Sequence, residues 1–409
     1  MPPKRVLFLM SDTGGGHRAA ARSIQAAMES LYPDNYTYDI VDVFRDYTPF
    51  PFKHMPEIYP FWVTHSSFTW WLGYVLTDGP KRSRWWLNLF YMAWRGGFHR
   101  LFEEHEADIV VCVHSLLNRA ALRVLYQTMS NPPPFVTVVT DLVSTPLFWY
   151  QKREDLCLVA TQKAYERGLK MGLRYDQLKR TGLPVHPDFV NSLTDKHTAR
   201  EALGWDHDQL TVLMVSGGDG MGPVYHTARA IDAQQLDIQL AIVAGRNESL
   251  QRKLESSSWN QPTHIYPFVN YMAQLMAASD ILITKAGPST IAEACVAGLP
   301  MILKGKIPGQ EDGNVDLVVE NGAGVYAPRP HQVAEALAEW VGGPPERLDA
   351  HAAAAKRLAN PEAAWTVARE VHQIAQHPPA RRLQPTRGSW SLLFPGARPG
   401  VSTPPEHLL

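Results

Sequence analysis

DILITKAGPSTIAEACVAGLPMILKGKIPGQEDGNVDLVVENGAG, residues 280–324, is the stretch whose reading decides the fold. Ile281, Leu282, Ile283 and Thr284 form a short apolar run that feeds the turn Gly287-Pro288-Ser289-Thr290, and that turn opens a helix. A strand that passes through a tight polar turn directly into a helix is the repeating unit of an α/β protein. The first backbone N–H groups of such a helix lack intrahelical partners and point forward, so they hold a phosphate without a basic side chain. Ser289 and Thr290 add hydroxyl donors, and Glu293 stands about one turn further on, where a carboxylate accepts from both hydroxyls of a ribose. Residues 308–314, PGQEDGN, then crowd amide, carboxylate and flexible backbone into one loop. Gln310, Glu311 and Asn314 there suit a polyhydroxylated ligand such as a sugar. The same spacing also describes an ordinary strand–turn–helix unit with a polar loop, since fold alone does not specify function.

The unit recurs along the chain. Arg5 to Met10 is an apolar strand run broken by Gly14, Gly15 and Gly16, and a helix-forming stretch follows from His17 to Leu31. His17 sits where a parallel sheet presents its carboxyl ends. There it is either a base for a hydroxyl or a cap that ties down the loop. Further strands are expected at 108–114, ending in His114, at 135–140, ending before Asp141, and at 157–160, with Thr161 capping the helix to Lys170. His114 again lies at a strand end, where a hydrogen-bonded structural histidine is the plain reading. Asp141 is an orienting or proton-accepting carboxylate, or a helix cap. From Gln209 the pattern restarts with strand 210–215 and a second glycine-rich loop containing Gly217 and Gly218. Strand 238–244 follows and ends in Gly245-Arg246-Asn247, where Arg246 can meet a phosphate or a base.

The alternation predicts an α/β chain of two Rossmann-like domains with a cleft between them. Residues 1–185 form the first, 186–200 a polar linker, and 201–343 the second. Helices over 344–377 are expected to cross back and brace the first domain. Residues 378–409, rich in Pro, Arg, Gly and Ser, read as a mobile tail.

Composition sets limits on function. The chain has 409 residues, too many for one comfortable core, with 39 basic against 40 acidic side chains, so no global field recruits nucleic acid. Cys112, Cys157 and Cys295 lie in apolar stretches and read as reduced core residues. The apolar run Val6 to Met10 is too short for a signal peptide, and nothing approaches the ~18 to 20 apolar residues that span a bilayer. The expectation is a cytoplasmic protein with peripheral membrane contact. That contact is assigned to an insert at about 47–100, which carries six of the chain's twelve tryptophans. These are Trp62, Trp70, Trp71, Trp85, Trp86 and Trp94, interleaved with Lys53, Lys81, Arg82, Arg84 and Arg95. Amphipathic rings favour the headgroup level and the cations favour anionic lipid.

Read together, MSDTGGGHR at 10–18, KAGPSTIAEA at 285–294, GLP at 298–300 and PGQEDGN at 308–314 resemble the monogalactosyldiacylglycerol synthase and processive diacylglycerol glucosyltransferase group. This is a glycosyltransferase family 28-like group, and the likeness spans roughly the first 340 residues. The resemblance implies a GT-B architecture, UDP-galactose or UDP-glucose as donor, diacylglycerol or a glycosylated diacylglycerol as acceptor, and inversion to a β-glycoside. It makes His17 the base, with Asp141 assisting and Gly16, His114 and Thr140 on the acceptor side. The UDP-sugar would meet Gly217, Gly218, Arg246, Phe268, Val269, Gly287, Ser289, Thr290 and Glu293, with Gln310, Glu311 and Asn314 near the sugar. No cofactor is implied, and no DxD-like motif stands near these loops, so no metal is expected. One departure stands out: the motif Thr140-Asp141-Leu142 is commonly followed by a His-Pro pair, whereas VSTPLFWY at 143–150 has no histidine. Rival readings are a transferase for polyprenyl-linked or soluble acceptors, a UDP-sugar 2-epimerase, and a non-catalytic UDP-sugar sensor at a membrane.

Overall fold

The protein is described by a computed structural model covering residues 2–378, apart from the side chains at positions 60, 64, 65 and 67. The first sheet contains β1 (Lys4–Met10), β2 (Tyr36–Asp42), β3 (Ile109–Cys112), β4 (Phe135–Val138), β5 (Leu156–Val159) and β6 (Leu178–Arg180). The second contains β7 (Leu210–Val215), β8 (Ile238–Gly245), β9 (Thr263–Pro267), β10 (Ile281–Thr284), β11 (Met301–Leu303) and β12 (Gly324–Tyr326). Every pairing is parallel, in the orders β2-β1-β3-β4-β5-β6 and β12-β11-β10-β7-β8-β9. Helices cover both faces, so Val6–Met10 and all of β3 are buried, as parallel strands require. The strand order reverses between β1 and β3 in one sheet and between β7 and β10 in the other. Ligands of open α/β sheets bind at the carboxyl ends of such strand pairs. Both glycine-rich turns and the 285–290 turn lie there.

Two boundaries differ from expectation. Of the supposed linker, Pro187–Asn191 is a helical turn that buries Phe189, and Lys196–Leu203 is a helix already belonging to the second domain. Arg200 anchors it, donating to Asp280 at 2.6 Å and to the Ala278 carbonyl at 3.0 Å. The terminal helices also divide their work. Pro345–Leu358 packs Ala354 and Ala355 against Ile291, Ala294 and Cys295 of the second domain. Only Ala363–Gln376 crosses back, setting Ala364, Val367, Ala368 and Val371 against Ala21, Ile24, Ala27 and Met28 of the helix Gly16–Leu31. Its His372 stacks on Tyr32 at 3.7 Å between centroids and accepts or donates a 2.7 Å hydrogen bond with the Tyr36 hydroxyl. The expected tail, from 379 onward, lies outside the described residues.

The aromatic insert is three helices, Met55–His65, Ser67–Thr77 and Pro80–Glu104. Its far end is domain core: Trp94, Phe98, Leu101 and Phe102 pack against Leu7, Leu9, Val110 and Cys112. Trp94 is therefore no surface residue. Trp62, Trp70 and Trp86 face inward on a cavity, while Trp71 and Trp85 are exposed with Phe61, Phe68, Leu76 and Met92. Lys53, Lys81, Arg82, Arg84 and Arg95 are exposed beside them. Asp78, at the end of the second helix, makes a two-point ion pair with Arg167 at 2.6 and 2.7 Å, fastening the insert to the first domain. Among the described residues no helix is long and apolar enough to cross a membrane. The three cysteines are buried and free.

Candidate active site

Two cavities meet between the domains. The larger, about 1000 Å³, is a cleft walled by the Asp12–Arg18 turn on one side and by the Gly217, Lys285–Thr290 and Gln310 turns on the other. The smaller, about 380 Å³, is an apolar chamber roofed by the insert and lined by Phe44, Trp62, Trp70, Trp86, Phe90 and Phe148. His17, Asp141 and Gln310 line both, with Thr13 and Tyr59.

His17 is the first side chain of its helix after the triple glycine. Its Nδ1 lies 2.8 Å from the Val113 carbonyl oxygen and 3.0 Å from Thr140 Oγ1. A carbonyl only accepts, so Nδ1 carries the proton and Nε2 keeps the lone pair. Burial pushes the imidazole pKa down to about 4, against the opposing pull of the Val113 carbonyl, so the ring is neutral at neutral pH. His114 packs 4.5 Å from His17 between centroids. It is itself buried, with Nε2 at 3.0 Å from Thr13 Oγ1 and Nδ1 accepting from the Leu116 N–H at 3.4 Å. Burial holds it well below its usual pKa.

Asp141 is placed beside His17 but does not orient it: no hydrogen bond joins the two. Its carboxylate instead accepts from the Trp149 indole N–H at 2.7 Å and from the Gln310 amide at 3.5 Å. Trp149 lies in the very segment that lacks the expected histidine. Burial raises the Asp141 pKa to about 6, partly offset by those donors. Gln310 is thus a bridge, since its carbonyl accepts from the Tyr59 hydroxyl of the insert at 3.3 Å.

Across the cleft, the helix Pro288–Ala297 points its amino end at that of Gly16–Leu31. A Cβ on Gly16 would lie 3.4 Å from Ser289 Oγ. Two positive dipole ends therefore converge on one space. Gly287, Ser289, Thr290 and Glu293 line it, as do Gly217 and Gly218. Gly245, at φ +65°, brings Arg246 under that loop so closely that a Cβ would strike the Gly218 carbonyl. Arg246 donates to Asp219 at 2.8 Å and lies 5.2 Å from the Phe268 ring centroid, forming with Val269 the outer rim. Glu293 has no side-chain hydrogen bond among the described residues, and burial alone raises its pKa to about 7.

Two assignments from the sequence change. Glu311 is 2% exposed, and both its oxygens are committed, one to Lys285 at 2.7 Å and one to the Ile307 N–H at 2.8 Å. It braces the loop and the lysine while still bordering the cleft. Asn314 is equally buried and does not line the cleft; its amide donates to the Ala286 carbonyl at 2.9 Å and clamps the 285–290 turn. Sequence reasoning overlooked Lys285, Tyr59 and Trp149. Lys285 stands in the quoted stretch, but its importance depends on a partner 26 residues away.

Among known proteins, the family described as monogalactosyldiacylglycerol (MGDG) synthase matches residues 17–185, and the glycosyltransferase family 28 C-terminal domain matches residues 212–364. Monogalactosyldiacylglycerol synthase 1, chloroplastic, of Arabidopsis thaliana is 38% identical over 385 residues, 91% of this chain and 72% of that protein. Among solved structures, WaaG, a glycosyltransferase involved in lipopolysaccharide biosynthesis, superposes with a TM-score of 0.53 at 17% identity, covering 91% of this chain and all of that one. A UDP-N-acetylglucosamine 2-epimerase superposes at 0.56 with 14% identity, covering 89% of this chain and 94% of that one. These likenesses show the two-domain GT-B fold, and the fold by itself serves more than one chemistry. The match along both halves, with both glycine turns and the KAGPSTIAEA turn converging on one cleft, places this chain in the monogalactosyldiacylglycerol synthase family.

Proposed function

We propose that this chain is an inverting transferase that moves galactose or glucose from a UDP-sugar to diacylglycerol, or to a glycosylated diacylglycerol, at a membrane surface. One observation carries the reading: His17, Asp141 and Gln310 stand where an apolar chamber meets a polar nucleotide-sized cleft. A lipid hydroxyl delivered through the chamber arrives beside a neutral imidazole whose Nε2 is free of the Val113 contact. In the reaction that hydroxyl loses its proton to His17 Nε2 as its oxygen bonds the anomeric carbon, and the bond from that carbon to the UDP oxygen breaks on the opposite face. The departing diphosphate is met by the two helix amino ends, the Gly217–Gly218 backbone and the Ser289 and Thr290 hydroxyls. Glu293 accepts from the ribose hydroxyls, Phe268 and Val269 flank the base, and Gln310 reaches the sugar.

The exposed rings and cations of the insert give the chamber a side that sits at the lipid headgroups, anionic lipid favoured by the cations. We place the protein on the cytoplasmic face of a membrane. A chamber lined by eight tryptophan and phenylalanine rings has no purpose for an epimerase acting on a soluble nucleotide sugar. Purified protein incubated with labelled UDP-galactose or UDP-glucose over liposomes containing diacylglycerol tests the reading. Labelled glycolipid is the expected product. Free sugar, an epimerised nucleotide or donor binding without turnover would each overturn it.

A further inference from the structure

Lys304 follows β11 at the carboxyl edge of the second sheet and is 5% exposed. Its ammonium reaches one carbonyl, that of Met221, at 3.5 Å, and no carboxylate among the described residues pairs with it. Lys285 is the charged group that bears on it, and Lys285 is already matched by Glu311. Two ammonium groups and one carboxylate thus stand together, Lys285 and Glu311 lining the cleft and Lys304 behind it. A buried, unmatched cation costs free energy in an otherwise satisfied interior. Nor is it alone, because the hydroxyls of Thr284, at the end of β10, and Ser216, just after β7, are buried without a partner among the described residues. The ammonium lies directly behind the glycine-rich loop: it is 3.6 Å from where a Cβ on Gly222 would stand, and Met221, whose carbonyl it holds, lines the cleft. That loop is the one whose backbone faces the helix amino end at Ser289.

We infer that Lys304 is a positioning residue for the diphosphate of the donor, acting from behind the 216–222 loop. It holds the Met221 carbonyl turned away from the ligand, so that the loop offers N–H groups to the cleft, and its surplus charge is balanced when a diphosphate enters. The inference rests on the nucleotide-sugar reading above. It predicts a trade between stability and binding, since the charge that is costly in the empty protein becomes useful when the anion is present.

The test compares the full-length protein with Lys304→Met, which is shorter by one atom and removes the charge, using UDP and uridine in calorimetric titrations. The expected result is an affinity for UDP lower by about tenfold with uridine affinity unchanged, as the loss of one charge-supported anion contact implies. The melting temperature without ligand stays level or rises, and kcat falls along with UDP affinity. Should Lys304→Met not fold, Lys304→Gln carries the same comparison. Equal UDP affinity in variant and wild type, or a parallel loss for UDP and uridine, overturns the role of Lys304 while leaving the donor reading intact. A wild-type chain that binds no UDP overturns both.

Discussion

His17, the base of the proposed reaction, shows how little of such a role resides in a residue's own chemistry. An imidazole in water is half-protonated near pH 6.5. Here burial lowers its pKa to about 4 while the Val113 carbonyl selects the tautomer. Replacing His17 with Ala is expected to lower kcat by at least about a hundredfold, the usual worth of a general base, with UDP affinity within a few-fold of wild type. Turnover assays and UDP titration together check this, and residual turnover with lost UDP binding would contradict it. Glu293 supplies a pH signature. Its folded pKa, about 7, lies above the ordinary carboxylic value, so the proton is held in the fold and released as pH rises. The charged form is the better acceptor for ribose hydroxyls. UDP affinity is therefore expected to strengthen from pH 6 to pH 8, and Glu293→Gln to bind more weakly and lose that slope; a wild-type slope retained in the variant would reassign it. His17, Ser289 and Glu293 were legible as candidates from the sequence because each follows a turn that opens a helix. The bracing task of Glu311 was hidden because a carboxylate's partner is invisible in a motif: Lys285 and the Ile307 N–H each hold one of its oxygens.

At the scale of elements, the insert is the least local part of the molecule. Its aromatic excess was plain in the sequence, yet one period of amphipathic helix cannot say which ring faces a core, a chamber or solvent when all three are apolar. The structure sorts them: Trp94 into the core at the chamber's edge, Trp62, Trp70 and Trp86 into the chamber, and Trp71 and Trp85 outward. Changing Trp85 and Phe68 together to Glu should therefore weaken liposome co-sedimentation several-fold and lower transfer to membrane-borne acceptor, because two apolar rings become charges at the headgroup level. UDP affinity should not change. Unaltered co-sedimentation would move the docking surface elsewhere. The edge strand β2 escaped prediction because Tyr, Thr and Asp break its apolar pattern, while β6, β11 and β12 are three residues each, too short for periodicity to register.

The whole molecule is held in register by the chain's return. Helix Ala363–Gln376 leaves the second domain and lies on the helix Gly16–Leu31, and it returns beside the first connection, where the Asn360 amide donates to the Thr181 carbonyl at 2.8 Å. Ala364 is fully buried between the two helices. Ala364→Asp places an unpaired carboxylate there, and is expected to lower the melting temperature by several degrees and reduce transfer more than UDP binding. In the proposed reaction most donor groups lie on the second domain, whereas transfer needs His17 of the first as well. A variant that lost UDP binding and transfer in equal proportion would show that the strap does not set the approach of the domains.

By itself, the sequence determined the repeating strand–turn–helix units, the two parallel sheets and the donor turn at 285–290. These depend on local periodicity and on glycine, serine and proline at fixed offsets, and local signals survive without a fold. Only the tertiary structure decided that Val113 and Thr140, not Asp141, hold His17, that Trp149 and Gln310 hold Asp141, and that one terminal helix rather than two returns to the first domain. Those are contacts between residues far apart in the chain. Their energies depend on burial and on which partner arrives first at a carboxylate or a carbonyl, and neither is written in spacing.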